Sequence, residues 1–354
     1  MSIRWGICGA GKISHDFVVG LKTRPTAEHS VVAVSARSVE SAAEFAALHH
    51  VERHYGSYEE LAVDQEVDVV YVGTIHPTHY SCAKLMLQNG KSVVCEKPLT
   101  MNVKDTLSLE EISRDRGMFL MEGMWTRFFP AVSEMRKRIN DGHLGEIKSV
   151  QANFGFRRKD MSGNSRLDNP KLGGGAVLDV GVYPISLATM VFGERPNTVY
   201  ATGWLTSTGV DEFASITLKY SGERVAQLSC SIGVDLTNDA VVYGTKGKLK
   251  LQSPFWCPTK LETAEGVLDY PLPDVELPLN FLNSEGFGYE VEHVRRCLQA
   301  GMTESDVMPL EHTVIVAEIM ESVMKQLGTM QYMKMAVFID VEHPIFRQDD
   351  GWLL

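Results

Sequence analysis

The chain has 354 residues, 44% hydrophobic and 22% charged, with a formal net charge of −11. This length exceeds one ordinary core and predicts two domains, and the acid excess argues against a nucleic-acid partner, since phosphate binding needs a basic surface. No 18-residue apolar run stands out and no basic leader precedes Ile3, so neither a membrane span nor a secretory signal is expected.

Residues 3–8 read as an apolar strand, and residues 14–21 begin a helix. Between them lies Cys8-Gly9-Ala10-Gly11-Lys12-Ile13-Ser14. Gly9 permits a tight turn, and Gly11 lets a pyrophosphate approach the backbone. The helix N-terminus then presents its free N–H groups. Ser14 stands where a third glycine is usual and is small enough for close strand–helix packing. In this strand–turn–helix context the pattern predicts dinucleotide binding. The next strand, 30–36, ends in Ala36-Arg37-Ser38. An NAD site would place a carboxylate there for the ribose 2′-hydroxyl. A guanidinium and a hydroxyl suit a 2′-phosphate instead, which predicts NADP.

Strand and helix patterns continue to alternate: helix 38–49, strand 67–72, helix 78–89, strand 92–95, helix 103–114 and strand 118–121. This predicts a parallel, doubly wound sheet. His76-Pro77-Thr78-His79 follows the strand at 67–72, with Cys82 beyond it. Carboxylate or thiol partners at ligand spacing are missing, so no metal is expected. Glu96-Lys97-Pro98 follows the strand at 92–95. Such a lysine could polarise a substrate oxygen or lower a neighbour's pKa, or could be an ordinary surface lysine in a turn.

The pattern changes near Trp125. A helix is expected over 125–142 and a strand over 147–156, and Gly173-Gly174-Gly175 precedes a helical run at 177–192. Asp179 and Tyr183 are four apart on that run and share a face. Strands then succeed one another at 197–206, 214–220, 225–234, 240–243, 248–252 and 260–263 before helices at 288–300 and 310–327. This is an α+β domain with a mostly antiparallel open sheet. The expected division is 1–122 for the nucleotide, 123–330 for substrate and dimerisation, and a tail at 331–354 whose role the sequence leaves undecided. The six cysteines are scattered without a C-x-x-C pair, and Cys8 and Cys95 sit in apparent core strands. Reduced thiols in the cytoplasm fit this usage.

Several segments together carry a family resemblance. They are Arg4-Trp5-Gly6-Ile7, Tyr55-Gly56-Ser57-Tyr58-Glu59-Glu60-Leu61, Cys95-Glu96-Lys97-Pro98 and Met121-Glu122. They continue with Trp125-Thr126-Arg127-Phe128-Phe129-Pro130, Gly244-Thr245-Lys246-Gly247 and Trp256-Cys257-Pro258-Thr259. Over residues 1 to about 328 the chain resembles the glucose–fructose oxidoreductase/inositol dehydrogenase (Gfo/Idh/MocA) family. Within it, the resemblance is to the dimeric dihydrodiol dehydrogenase subgroup, which also acts as NADP-dependent D-xylose dehydrogenase.

The resemblance implies a Rossmann domain, a homodimer paired through the second domain's sheet, and a catalytic Lys97 with Asp179 behind it. Most members have His where this chain has Tyr183, and the subgroup has Tyr. It implies cofactor contacts from Gly9, Gly11, Lys12, Ile13, Arg37, Ser38, Thr74, His76, His79, Glu96 and Lys97. It places Trp125, Phe154 and Phe281 at the substrate, with Asp179. Arg127 would bond a substrate hydroxyl or form a structural ion pair. Aromatic walls suit both a cyclohexadiene diol and the C–H face of a pyranose. The subgroup often carries a second basic residue where this chain has Ser41, which weakens the expected strictness for NADP. The implied activity is oxidation of trans-dihydrodiols to catechols or of D-xylose to its lactone. The alternatives are a reductase of a sugar ketone or dicarbonyl and, in another class, a non-catalytic NADP sensor, which need not keep Lys97 and Tyr183.

Overall fold

The alternating apolar runs of the N-terminal region build a regular βα succession. Its elements are β1 (Ile3–Cys8), α1 (Lys12–Leu21), β2 (His29–Ser35), α2 (Val39–His49), β3 (Arg53–Tyr55) and α3 (Tyr58–Val63). They continue with β4 (Val69–Val72), α4 (His76–Gln88), β5 (Ser92–Glu96), α5 (Val103–Arg116) and β6 (Leu120–Gly123). Local chemistry sets the ends. Ser57 and Asn102 cap α3 and α5 through their side chains, and Gly117 stops α5 in the left-handed region at φ 63°. The strands form one parallel sheet in the order β3-β2-β1-β4-β5-β6. Strand order reverses between β1 and β4, and ligands bind such sheets at the carboxyl ends flanking that point. β3 escapes the sequence pattern because Arg53 and His54 break its apolar signal.

This computed structural model describes residues 2–158 and 165–330. The tail expected at 331–354 lies outside the described residues. Packing divides the described residues into two units, 2–129 with Pro271–Val314, and Pro130–Tyr270 with 315–330. The sequence order suggests a single boundary after residue 122, and packing groups the chain differently. The first unit runs on to Phe129 and takes back a segment assigned by sequence order to the second domain. Periodicity orders elements along the chain and carries no signal that the chain returns.

The second unit begins where Pro130, which lacks an N–H, opens a helix. The helix expected over 125–142 is in fact a 3₁₀ turn, Trp125–Phe128, followed by α6 (Pro130–Asn140). Next come β7 (Ile147–Gly155), α7 (Val182–Phe192), β8 (Thr198–Leu205), β9 (Asp211–Tyr220) and β10 (Arg224–Ser231). The remaining strands are β11 (Ala240–Gly244), β12 (Gly247–Leu251), β13 (Lys260–Thr263) and β14 (Gly266–Asp269). The sheet order is β14-β13-β12-β11-β7-β10-β9-β8, antiparallel except where β10 pairs with β7. α7 packs on β7 and β10. In β10, Ala226, Leu228 and Cys230 are buried, whereas Gln227 on the opposite face is exposed. That opposite face also carries Tyr200 and Trp204 of β8.

The stretch Pro170–Phe192 is long and apolar enough, by length and composition, to cross a membrane. This corrects the expectation that no such run exists. Most of its apolar window is buried inside the second unit, where it serves as a core helix. In the first unit, α8 (Phe287–Gln299) lies against α1: a Cβ on Gly20 would fall 2.8 Å from the Cβ of Phe287. Among the described residues the last helix is α9 (Leu310–Leu327).

Candidate active site

In the first unit the glycine turn sits at the switch point of the sheet. Gly9 has φ +101°, a conformation that favours glycine, and a Cβ there would press on the Gly73 carbonyl and Thr74 at 3.0 Å. The Gly9 N–H donates to the Ser35 carbonyl at 2.9 Å, and the Gly73 N–H donates to that of Cys8 at 3.0 Å. These bonds tie the carboxyl ends of β1, β2 and β4 together. Ser14, fully buried, donates its hydroxyl to the Gly73 carbonyl at 3.4 Å. It packs as expected of the third position, against a glycine that sequence reasoning missed. Gly11 is the N-cap of α1 and supplies no side-chain cap, and the first turn contains no acidic residue. Lys12 and Ile13 open that turn. The donor set fits the pyrophosphate of a dinucleotide.

Arg37 is exposed directly after β2. Ser38 is the N-cap of α2, its Oγ accepting the Ser41 N–H at 3.2 Å. The hydroxyl expected to bind phosphate thus first serves the helix, and it sets the N-terminus of α2 beside Arg37.

Lys97 is half-buried in the turn after β5, before a cis Pro98. Two buried carboxyls brace this turn. Glu96 accepts the Tyr71 hydroxyl at 2.6 Å and the Lys97 N–H at 3.2 Å. Glu122 of β6 accepts the Leu99 N–H at 3.0 Å. Burial pushes the Glu96 carboxyl up to about 6, against the opposing pull of the Lys97 charge and the Tyr71 hydroxyl. Burial also raises Glu122. Tyr71 is itself fully buried, stacked on Phe17 with centroids 3.7 Å apart. The resemblance gave Glu96 to the cofactor, and the geometry places its carboxylate under the lysine turn.

His76 and His79 begin α4, and both are buried. Both ring nitrogens of His79 face carbonyl oxygens, Nδ1 toward Pro98 at 2.8 Å and Nε2 toward Thr74 at 3.0 Å. The ring ties the loop after β4 to the lysine turn and offers no nitrogen to a metal. Two other groupings are close enough to hold an ion, His293 with Cys297 and Asp306, and Glu28 with His29 and Glu292. In the first, Ser305 Oγ accepts the Val307 and Met308 N–H groups, so its own hydrogen turns to His293 Nε2 at 2.7 Å. In the second, Trp5 donates to His29 Nδ1, which leaves the Nε2–H for Glu292.

Of the residues expected at the substrate, Trp125 is buried and stacks on Phe287 with centroids 4.7 Å apart. Arg127 is 2% exposed, and its Nη1 lies 3.1 Å from the Val307 carbonyl and 2.8 Å from His312 Nδ1. These contacts tie Arg127 within the first unit, and its charge also acts on the buried Glu122. Phe281 is half-buried, and its N–H donates to the Asp16 carboxylate at 2.8 Å.

In the second unit, Asp179 and Tyr183 do not share one regular helix. Asp179 lies in a π-turn, Val177–Gly181, and Tyr183 lies in the first turn of α7. Such turns recur at functional sites because they re-aim side chains. Asp211, missed by sequence reasoning, explains the glycines before it. Its Oδ2 accepts the Val177 N–H at 2.6 Å, and a Cβ on Gly175, at φ +110°, would collide with the same carboxylate. Burial pushes Asp211 up to about 7. Asp179 is paired with Arg166 at 2.7 Å. Tyr183, 7% exposed, has its ring 5.5 Å from Phe154, which stacks on Trp256 at 3.6 Å and 7°. A phenol, an ion-paired carboxylate and an aromatic wall therefore gather in this unit.

A doubly wound sheet with an open helix N-terminus at its switch point, followed by an open mixed sheet, defines a two-domain dinucleotide-dependent enzyme. Residues 3–124 match the oxidoreductase family with an NAD-binding Rossmann fold, and residues 132–250 match the GFO/IDH/MocA C-terminal domain. The chain belongs to the Gfo/Idh/MocA family of oxidoreductases. It is 47% identical over 329 residues to the trans-1,2-dihydrobenzene-1,2-diol dehydrogenase of Danio rerio, covering 93% of this chain and 98% of that one. With that relative it is an oxidoreductase acting on CH–OH groups. KijD10, a 3-ketoreductase from Actinomadura kijaniata in complex with NADP and TDP-benzene, shares the fold. Its TM-score is 0.75 at 24% identity, covering 92% of this chain and 98% of that one. So does a levoglucosan dehydrogenase in complex with NADH and levoglucosan, with TM-score 0.80 at 18% identity, covering 93% and 98%. The same fold thus holds either dinucleotide, and the cofactor choice rests on side chains.

Proposed function

We propose that the protein is an NADP-dependent dehydrogenase that oxidises trans-dihydrodiols of aromatic hydrocarbons to catechols, and D-xylose to D-xylonolactone. Arg37 carries the choice of cofactor: it stands exposed after β2, where an NAD site needs a carboxylate, beside the N-terminus of α2. The name of the 47% identical relative supports the diol as substrate. A bound NADP would supply the hydride acceptor for the substrate C–H.

The chain's own residues handle the proton. Tyr183 takes it from the substrate hydroxyl. Lys97 supplies a positive charge that polarises the substrate oxygen. Asp179, held by Arg166, supports that machinery. Trp125 and Phe281 are the apolar side chains the first unit offers a substrate, and Phe154 is that of the second. His76, His79 and Thr74 line the cofactor side. Measuring NADPH formation with a trans-dihydrodiol and with D-xylose tests the reading. Turnover of neither, or equal affinities for NAD and NADP, would overturn it.

The same reading includes a homodimer in the cytoplasm. The sheet face opposite α7 exposes Tyr200 at 55% and Trp204 at 52%, the latter stacked on Phe213. A second copy would cover these rings. Sedimentation as a monomer at micromolar concentration would count against it. The six cysteines are free and buried, which suits a reducing compartment.

A further inference from the structure

Asp16 lies in the second turn of α1, the helix whose N-terminus forms the glycine turn, and it is completely buried. Its partners are amide groups of one segment. The Asn280 N–H donates to Oδ1 at 2.9 Å and to Oδ2 at 3.1 Å. The Phe281 N–H donates to Oδ2 at 2.8 Å, and the Asn280 side-chain amide donates to Oδ1 at 2.8 Å. The same side chain reaches the carbonyl of Lys12, the first residue of α1, at 3.4 Å. One turn away, His15 Nε2 lies 3.0 Å from the Pro278 carbonyl. The segment so held contains no helix or strand between Pro271 and Asn283, and Asn280 is exposed. A surface strap is therefore fastened to the dinucleotide helix by a carboxylate whose two oxygens accept its amide hydrogens.

We infer that Asp16 is a positioning residue: it latches the strap at residues 278–281 across the first turn of α1 and so slows the departure of a bound dinucleotide. A carboxylate accepting several N–H bonds in a dry site is a strong, directional anchor. The strap it anchors touches α1 next to Gly11, where the pyrophosphate is received. It also fixes Phe281, which the proposed function sets at the substrate. The inference rests on that function only in placing a dinucleotide at Gly9 and Gly11.

Two variants test the latch. Asp16→Asn turns an amide NH₂ toward the strap's N–H groups, and Asn280→Ala removes only the exposed side chain and its two bonds. In Asp16→Asn the dissociation constants of NADP and NAD should both rise about tenfold, through faster release, because the pyrophosphate is common to both. Asn280→Ala should raise both about threefold. Without cofactor, the Asn280 and Phe281 amides should exchange slowly in the unmodified protein and at least about tenfold faster in Asp16→Asn. If Asp16→Asn does not fold, Asn280→Ala alone decides. Dissociation constants within twofold of the unmodified protein, or unchanged amide exchange, would overturn the latch, as would a lower Tm in Asn280→Ala with unaltered cofactor affinity. A failure of the cofactor reading shows separately, as a preference for NAD in the unmodified protein. The latch then still predicts equal weakening of both dinucleotides.

Discussion

Two glycine-rich turns lead into helices in this molecule, and they are built for opposite purposes. In the first unit, Gly9 and Gly11 precede α1, and no side chain caps that helix. In the second, Gly173, Gly174 and Gly175 precede the π-turn that leads into α7, and the Asp211 carboxylate fills the space that the missing Cβ of Gly175 leaves. A glycine turn before a helix is thus an anion site only when the protein leaves it empty. Where an internal carboxylate occupies it, the same composition becomes a rigid seat for the side chains that follow, here Asp179 and Tyr183.

The sharpest way to break this comparison is at Tyr183. Tyr183→Phe keeps the seat and removes one hydroxyl. Turnover should fall on the order of 10²–10⁴-fold, with NADP affinity unchanged in a fluorescence titration. Near-normal turnover would make the ring a packing residue and leave the second turn without a catalytic purpose.

Next is the seat itself. Asp211→Ala leaves the Val177 N–H unpaired in the core, which should lower stability by about 1–3 kcal/mol in denaturant melts. NADP affinity should not change, because the anion-binding turn belongs to the other unit. A loss of NADP binding comparable to that from altering Gly9 would erase the distinction.

The buried carboxyls give a pH test. Glu96 is raised from the ordinary 4.5 to about 6, so the folded state holds the proton more tightly than the unfolded chain does. The resulting stabilisation is complete below 4.5 and is lost as pH rises through 6, a swing of about 2 kcal/mol. Glu96→Gln should flatten the stability profile across that window in thermal melts. Asp211, raised to about 7, extends the same fall to higher pH. An unchanged slope in Glu96→Gln would mean that water reaches the carboxyl.

The smallest effect concerns the charge beside the open turn. Arg37→Asp should weaken NADP by about tenfold and weaken NAD little or not at all. Equal losses for both would mean that Arg37 serves the fold and not the 2′-phosphate.

The sequence by itself determined the succession of strands and helices of the first unit apart from β3 and α3, the glycine turn, and the places of Lys97 and Arg37. These rest on local rules: apolar runs at strand length, a backbone conformation only glycine adopts readily, and a side chain placed directly after a strand. It also carried most strands of the second unit, because alternation survives wherever one face of a sheet meets water.

Tertiary structure alone decided the rest. Asp16 meets Asn280, and Asp211 meets Val177, across sequence separations that no periodicity spans. The same holds for Arg127, whose partners at Val307 and His312 belong to a segment that returns to the first unit late in the chain. A buried charge takes whichever donors or acceptors the completed fold brings to it. The sequence therefore shows that such residues exist, and only the fold shows what they hold.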